Sequence, residues 1–301
     1  MRISPLYKIF IFIGFTYCYS FTHISKKMNK TIHYSNNNKR VNQCIISSKN
    51  KKSYCNEDSK IFLDENDFYL NKKLITISPG GYKGFYMLGV LTYIKENYET
   101  DNLIFSGASA GSWNSLFMCY KGDPLTFAYN FLDINIRKAS SISELQYFMK
   151  YKLLTSYKNE DFDLKRLFIG VTTFKFFLPK INIYSDFNDL EDAINCCMAS
   201  SHIPLLTGGI YNRYKDMFSF DGGFSKYPYL NGEKVLHVSF NMWDEIKDKK
   251  KIIKISEFFS MSKNNLLELF DNGYDDAKLH KNYLDEIFEP KNKNNDDVPE
   301  F

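Results

Sequence analysis

Three short glycine-bearing segments hold the residue types from which a hydrolytic site could be assembled. Gly107-Ala108-Ser109-Ala110-Gly111 has the Gly-x-Ser-x-Gly spacing of a nucleophile elbow. A sharp turn between a strand and a helix would present the Ser109 hydroxyl to a cleft. The Ala110 N–H and the positive end of the following helix would then lie near a developing oxyanion. Upstream, Pro79-Gly80-Gly81-Tyr82-Lys83-Gly84 can turn successive N–H groups inward as an anion-binding nest. It lacks the full Gly-x-Gly-x-x-Gly spacing and the Lys-Ser or Lys-Thr pair of a Walker loop, so beside an elbow serine an oxyanion fits it better than a nucleotide phosphate. Downstream, Asp221-Gly222-Gly223 follows an apolar run and can hold a carboxylate facing the cleft. Each segment also has a plainer reading: the elbow as a tight turn, Lys83 as a helix-start residue, Asp-Gly as a common turn dipeptide. Taken together they describe acyl transfer, because a serine hydroxyl is a poor nucleophile until a positioned base takes its proton. A free aspartate, with a pKa of about 3.9, is a weak base, so the site must desolvate Asp221 to raise it. This chemistry needs neither a metal nor a cofactor.

The surrounding pattern predicts the elements that carry these segments. The apolar run 74–78 reads as a buried strand ending at Pro79, and Phe85, Leu88, Leu91 and Ile94 recur at helical spacing, predicting a helix over 84–98. A second strand over 103–106, a turn over 107–111 and a helix over 112–120 repeat the unit. Two strand-turn-helix units in succession imply parallel strands and an α/β class. Asp123 and Pro124 predict a capped helix running to about 137, followed by a helix over 143–151. Further strands are expected at 167–172, 181–184, 217–220, 234–240 and 252–255, with a helix over 190–199. A last helical stretch over 257–288 is expected to break near Asn272 and Gly273.

The order of the three segments, joined by Ala199-Ser200-Ser201-His202-Ile203-Pro204 as an Ala-Ser-x-x-x-Pro pattern, resembles the patatin-like phospholipase family over residues 61–288. The resemblance implies a three-layer α/β fold with a mainly parallel central sheet flanked by helices. It implies Ser109 as nucleophile and Asp221 as its proton acceptor, with Gly222 and Gly223 completing the Asp-Gly-Gly motif. Gly80, Gly81, Lys83 and Gly84 would form the oxyanion loop, and Gly107, Ala108, Ala110 and Gly111 the elbow around the serine. The substrate would be a phospholipid or acylglycerol, cleaved as by a phospholipase A, lysophospholipase or acylglycerol lipase. Pro79 stands where many members have glycine and removes one N–H from the loop. Two rivals remain at this point. One is a Ser-His-Asp triad drawing on His237 or His280; the other is a lipid-binding module without turnover. Acyl transfer to an acceptor other than water shares the same intermediate.

Bulk properties bound these readings. The 301-residue chain is 44% apolar, enough to bury one core, and its 39 basic against 35 acidic residues form no arginine-rich surface for nucleic acid. Arg2 and Lys8 precede an apolar run over 9–15, shorter than the ~20 residues that span a bilayer core. Residues 1–24 therefore read as a signal peptide or membrane anchor, favouring the secretory pathway or a membrane location. Residues 25–60 read as a polar linker, 61–288 as the hydrolase domain and 289–301 as a charged tail. The lysines of the linker could meet an anionic membrane surface, though a solvated run is the simpler reading. None of the cysteines, Cys18, Cys44, Cys55, Cys119, Cys196 and Cys197, has the spacing of a zinc or redox motif; Cys44 and Cys55 are the pair that could bridge in an oxidising compartment. Phe85, Tyr86, Phe117, Phe176, Phe177 and Tyr227 are candidates for an acyl groove or for core.

Overall fold

The computed structural model of the chain describes residues 43–47, 53–54, 67–175, 178–225, 227–243, 259 and 265–291. In chain order these form β1 (Gln43–Ser47), β2 (Ser53–Tyr54), β3 (Lys73–Ile77), α1 (Gly84–Asn97), β4 (Leu103–Gly107), α2 (Ala110–Met118), α3 (Pro124–Phe131), α4 (Ile134–Arg137) and α5 (Ile142–Ser156). There follow β5 (Leu167–Lys175), β6 (Leu178–Ser185), α6 (Leu190–Ser200), β7 (Asn212–Tyr214), β8 (Met217–Phe220), β9 (Lys234–Val238), α7 (Leu266–Leu279) and α8 (Lys281–Asp285). The strands join into a sheet in the order β2-β1-β6-β5-β4-β3-β9, with β8 on β5 and β7 on β8. The central pairs β9–β3, β3–β4 and β4–β5 are parallel, as is β1–β6. The pairs β5–β6, β5–β8, β7–β8 and β1–β2 are antiparallel. This is the α/β class expected, a mostly parallel central sheet flanked by helices.

Because successive strand residues point to opposite faces, the sheet feeds two clusters. Ile75, Ile77, Phe105, Leu167, Ile169 and Val171 join the larger one, completed by the buried sides of α1, α2, α3, α5, α6 and α7. Leu74, Ile104, Phe168, Ile181 and Ile183 face the other way, against Tyr69 and Leu230. Strand residues buried on both faces explain the continuous apolar runs by which β3 and β4 are recognised.

Three expectations need correction. The stretch read as linker contains β1 and β2, where Cys44, Ile45 and Ile46 interrupt the polar run and β1 pairs with β6. The helix expected over 124–137 is two helices. α3 ends at Leu132, and Asp133 starts α4 afresh by accepting the N–H groups of Asn135 and Ile136. The break expected near Asn272 and Gly273 is absent: α7 runs through both and stops at His280. Gly273 serves close approach instead, since a Cβ there would lie 2.0 Å from the Tyr86 carbonyl oxygen of α1. A Cβ on Gly89 of α1 would lie 2.0 Å from that of Phe270. The expected segments 1–24, 252–255 and most of 289–301, the residues Phe176, Phe177 and Cys55, and the Cys44 side chain lie outside the described residues.

Candidate active site

The elbow forms where β4 hands over to α2. A Cβ on Gly107 would lie 2.1 Å from the Gly111 carbonyl oxygen, and one on Gly111 2.1 Å from that of Ile77, so both flanking positions admit only glycine. Between them Ser109 adopts φ 53°, ψ −127°, a backbone state that a non-glycine residue holds only under constraint. The constraint is visible. The Ser109 N–H donates to Ser200 Oγ at 2.8 Å, and Ser200 Oγ donates to the Gly170 carbonyl at 2.7 Å. One buried hydroxyl thus ties the elbow to α6 and β5.

Asp221 arrives along the same edge of β5 from the opposite direction. Along one edge of β5, β4 pairs with Leu167, Phe168 and Ile169, and β8 pairs antiparallel with Thr172 and Thr173. The C-terminal ends of β4 and β8 therefore meet beside Gly170. Ser109 Oγ donates to Asp221 Oδ2 at 2.6 Å, the Gly223 N–H donates to Oδ1 at 2.6 Å, and the Asp221 N–H donates to the His202 carbonyl at 2.7 Å. Gly222 must be small because a Cβ there would stand 2.4 Å from the Gly170 carbonyl oxygen. Burial pushes the Asp221 carboxyl up from its ordinary value of 3.8 to about 6, against the lowering effect of the bonds from Ser109 and Gly223. This is the direction required of a base.

The Gly-rich loop closes the third side. Gly81, at φ 51°, opens a 3-10 turn over Gly81–Lys83 that leads directly into α1. The Lys83 N–H donates to the Gly80 carbonyl at 2.9 Å, and the Gly84 N–H to the carbonyls of Gly81 and Tyr82. Of the four residues expected to form an oxyanion loop, Lys83 and Gly84 therefore use their N–H groups within the turn and act as its frame. The first N–H groups of a helix or turn have no intrahelical acceptor, and Gly81, at the start of this turn, and Ala110, at the start of α2, line the cavity together with Ser109.

From this polar corner an apolar cavity of ≈ 60 Å³ runs between the helices. Gly81, Ser109, Ala110 and Asp221 line one part of it, and Phe85, Leu88, Phe117, Phe131, Met149 and Leu153 are among the apolar walls.

A family model described as patatin-like phospholipase matches residues 75–230, more than half of the chain and the whole stretch from β3 to beyond Asp221. The chain belongs to the patatin-like phospholipase family. Its members act on lipids as acyl hydrolases, which is the general activity assigned here. Among solved structures it is similar to VipD from Legionella pneumophila, at 12% identity over 88% of this chain and 74% of that one, with a TM-score of 0.38. It is also similar to the heterodimeric ExoU–SpcU complex of the Pseudomonas aeruginosa type III secretion system, at 12% identity over 73% of this chain and 53% of that one, with a TM-score of 0.36. A search of curated protein sequences gave no match.

Within this patatin-like site no histidine stands between serine and aspartate, and the direct 2.6 Å bond leaves no room for one. His237 lies on β9 bonded to Thr76 Oγ1 at 2.7 Å, and His280 stacks on Trp243 with ring centroids 4.3 Å apart. Neither His237 nor His280 lines the cavity that holds Ser109 and Asp221. Phe85 and Phe117 do line the cavity. Tyr86, a candidate for groove or core, lies in the core and donates its hydroxyl to Asp276 Oδ2 of α7 at 2.7 Å, and Tyr227 is exposed. Ser200 had no role before the structure; its place in the Ala-Ser-x-x-x-Pro pattern was the one available signal. The cavity walls from α3 and α5 were missed because their residues carry the same apolar signature as core.

Proposed function

We propose that the chain is a phospholipase A, lysophospholipase or acylglycerol lipase that cleaves lipid carboxylic esters through a Ser109 acyl-enzyme, with Asp221 as base. The observation that carries this reading is the 2.6 Å bond from Ser109 Oγ to a buried, up-shifted carboxylate at one end of an apolar cavity. As Ser109 Oγ attacks the ester carbonyl, its proton passes to Asp221 Oδ2. The carbonyl oxygen becomes an oxyanion accepting from Gly81 and Ala110 N–H, with the N-terminus of α2 adding its positive end. Collapse breaks the ester C–O bond, and the departing alkoxide takes the proton back from Asp221. Water then attacks the acyl-enzyme with Asp221 again accepting a proton; the acyl C–Oγ bond breaks, Asp221 returns that proton to Ser109 Oγ, and the fatty acid leaves. Throughout, the part of the acyl chain next to the ester enters the cavity between α1, α2, α3 and α5, where each methylene buried contributes about 0.8 kcal/mol.

The test is fatty-acid release from phospholipid vesicles and from a short soluble ester by wild type, Ser109→Ala and Asp221→Asn, with chelator present throughout. Activity in wild type that is lost in both variants and indifferent to chelator supports the dyad. Folded proteins that are all equally inactive on every ester would refute hydrolysis and favour a lipid-binding module.

A further inference from the structure

We propose that the excursion between Ile203 and Phe220 is an interfacial docking surface, which seats the enzyme on an anionic phospholipid bilayer so that lipid passes directly to Ser109. This inference rests on the lipid-hydrolase reading above. Both ends of the excursion belong to the site: Ile203 lines the cavity, and Phe220 precedes Asp221. The hydrogen bond from Asp221 N–H to the His202 carbonyl, 2.7 Å, ties those ends together. What lies between leaves the site and turns outward as a loop followed by the β7–β8 hairpin.

The outward face of this hairpin is apolar. Cross-strand partners share a face, and Arg213 is opposite Phe218 across β7–β8. Side chains two apart on a strand share it too, which adds Phe220 and, through the pair Thr172–Phe220 of β5–β8, Phe174. The Tyr211 ring meets that of Phe218 with centroids 4.8 Å apart, and Phe174 meets Phe220 at 4.9 Å. Yet Tyr211 is 56% exposed, Phe218 48% and Phe174 42%, and the loop ahead of them presents Ile210 at 62%. The opposite face behaves as a buried sheet face should: Tyr214 and Ser219 are covered, and the Tyr214 hydroxyl donates to Asp192 at 2.8 Å.

Charge selects the occupant. Between Ile203 and Phe220 the basic residues are Arg213 and Lys215, and the one acid is Asp216, exposed in the turn between β7 and β8. The Arg213 guanidinium lies 5.7 Å from the centre of the Phe218 ring, so a cation sits among exposed aromatic rings. Apolar side chains that enter the acyl boundary with a basic group at headgroup level match an anionic bilayer surface. Lys215 takes no part, being turned inward to Asp192 at 3.5 Å.

The test separates docking from turnover by measuring vesicle partition with the Ser109→Ala chain. Vesicles of phosphatidylcholine alone and with phosphatidylserine are sedimented with that chain, with its Tyr211→Ser/Phe218→Ser form and with its Arg213→Gln form. The double substitution is expected to lower partition at least tenfold on both vesicle types, and Arg213→Gln to lower it several-fold on phosphatidylserine vesicles only. In the Ser109 background, Tyr211→Ser/Phe218→Ser is expected to keep soluble-ester activity within twofold while losing at least tenfold on vesicles; this also shows that the variant folds. Unchanged partition in the double variant overturns the proposal. So does a concentration-dependent dimer that the double substitution abolishes without affecting partition, which would make the face a contact between copies. If Ser109→Ala keeps full ester activity, the Ser109 acyl-enzyme reading fails by itself and the partition results stand apart from it.

Discussion

Replacing Asp221 by Asn should abolish activity and yet stabilise the protein, by an amount that pH controls. Burial raises the folded-state pKa of Asp221 from 3.8 to about 6, so between those values the folded protein binds a proton that the unfolded chain has released. Stability then falls as pH rises through that window, because the native state holds more protons. Below about pH 4 both states are protonated and the carboxyl carries no penalty; above about pH 6 the full penalty applies. A shift of two units at ~1.4 kcal/mol each gives about 3 kcal/mol. Asn reproduces the protonated carboxyl, since its amide can donate to Ser109 Oγ while its oxygen keeps the Gly223 N–H, and it never ionises. Asp221→Asn should therefore match wild type at pH 4 and exceed it by about 3 kcal/mol at pH 7.5, or roughly 6 to 12 °C in Tm for a domain of this size. Thermal and urea unfolding at a series of pH values read this directly. The same titration predicts that wild-type kcat/KM on a soluble ester rises about tenfold per pH unit below about 6 and is flat above it. A stability difference that is independent of pH, or an activity limb centred near 4, would refute the claim that Asp221 is a desolvated base.

Ser200→Ala removes the acceptor of the Ser109 N–H and the donor to the Gly170 carbonyl, both buried. It should cost about 1 to 3 kcal/mol in urea unfolding and lower kcat up to about 100-fold as the elbow loses its anchor, with KM and the pH profile unchanged in steady-state kinetics. Met149→Phe fills part of the cavity wall from α5. Excluding about two methylenes at ~0.8 kcal/mol each should shift the preference between long and short acyl esters by roughly 15-fold toward short ones, read from kcat/KM over a chain-length series. Gly89→Ala drives a methyl into the backbone of α7, where no side chain can rotate away, and should destabilise by about 3 kcal/mol or more on equilibrium unfolding.

What was legible in the sequence is what local backbone geometry demands. The elbow glycines could be read because the turn around Ser109 admits nothing larger at Gly107 and Gly111, and β3 and β4 because strands buried on both faces need unbroken apolar runs. Gly273 misled for the same reason: a glycine inside a helix signals a break unless another backbone lies against it, and α1 is far away in sequence. The Ser200 bridge to Ser109 was equally out of reach, because it joins the end of α6 to the start of α2. Its serine looks like any other until both elements are in place.

The convergence of Ser109 and Asp221 depends on a still less local property. β5 is nine residues long, and β6 covers its far edge from Ile169 to Lys175 without interruption. On the near edge β4 stops at Ile169 and β8 begins at Thr172, leaving Gly170 and Val171 unpaired there. The parallel neighbour and the antiparallel neighbour approach that gap from opposite directions, so the residues following each must meet in it. Strand 5 announces its own length in its sequence, but not which of its residues will lack a partner, since that depends on the registers of two other strands. The dyad is in this sense a consequence of a gap in a sheet: lengthening β4 and β8 by one pair each would close it, and Ser109 and Asp221 could keep their motifs intact and never touch.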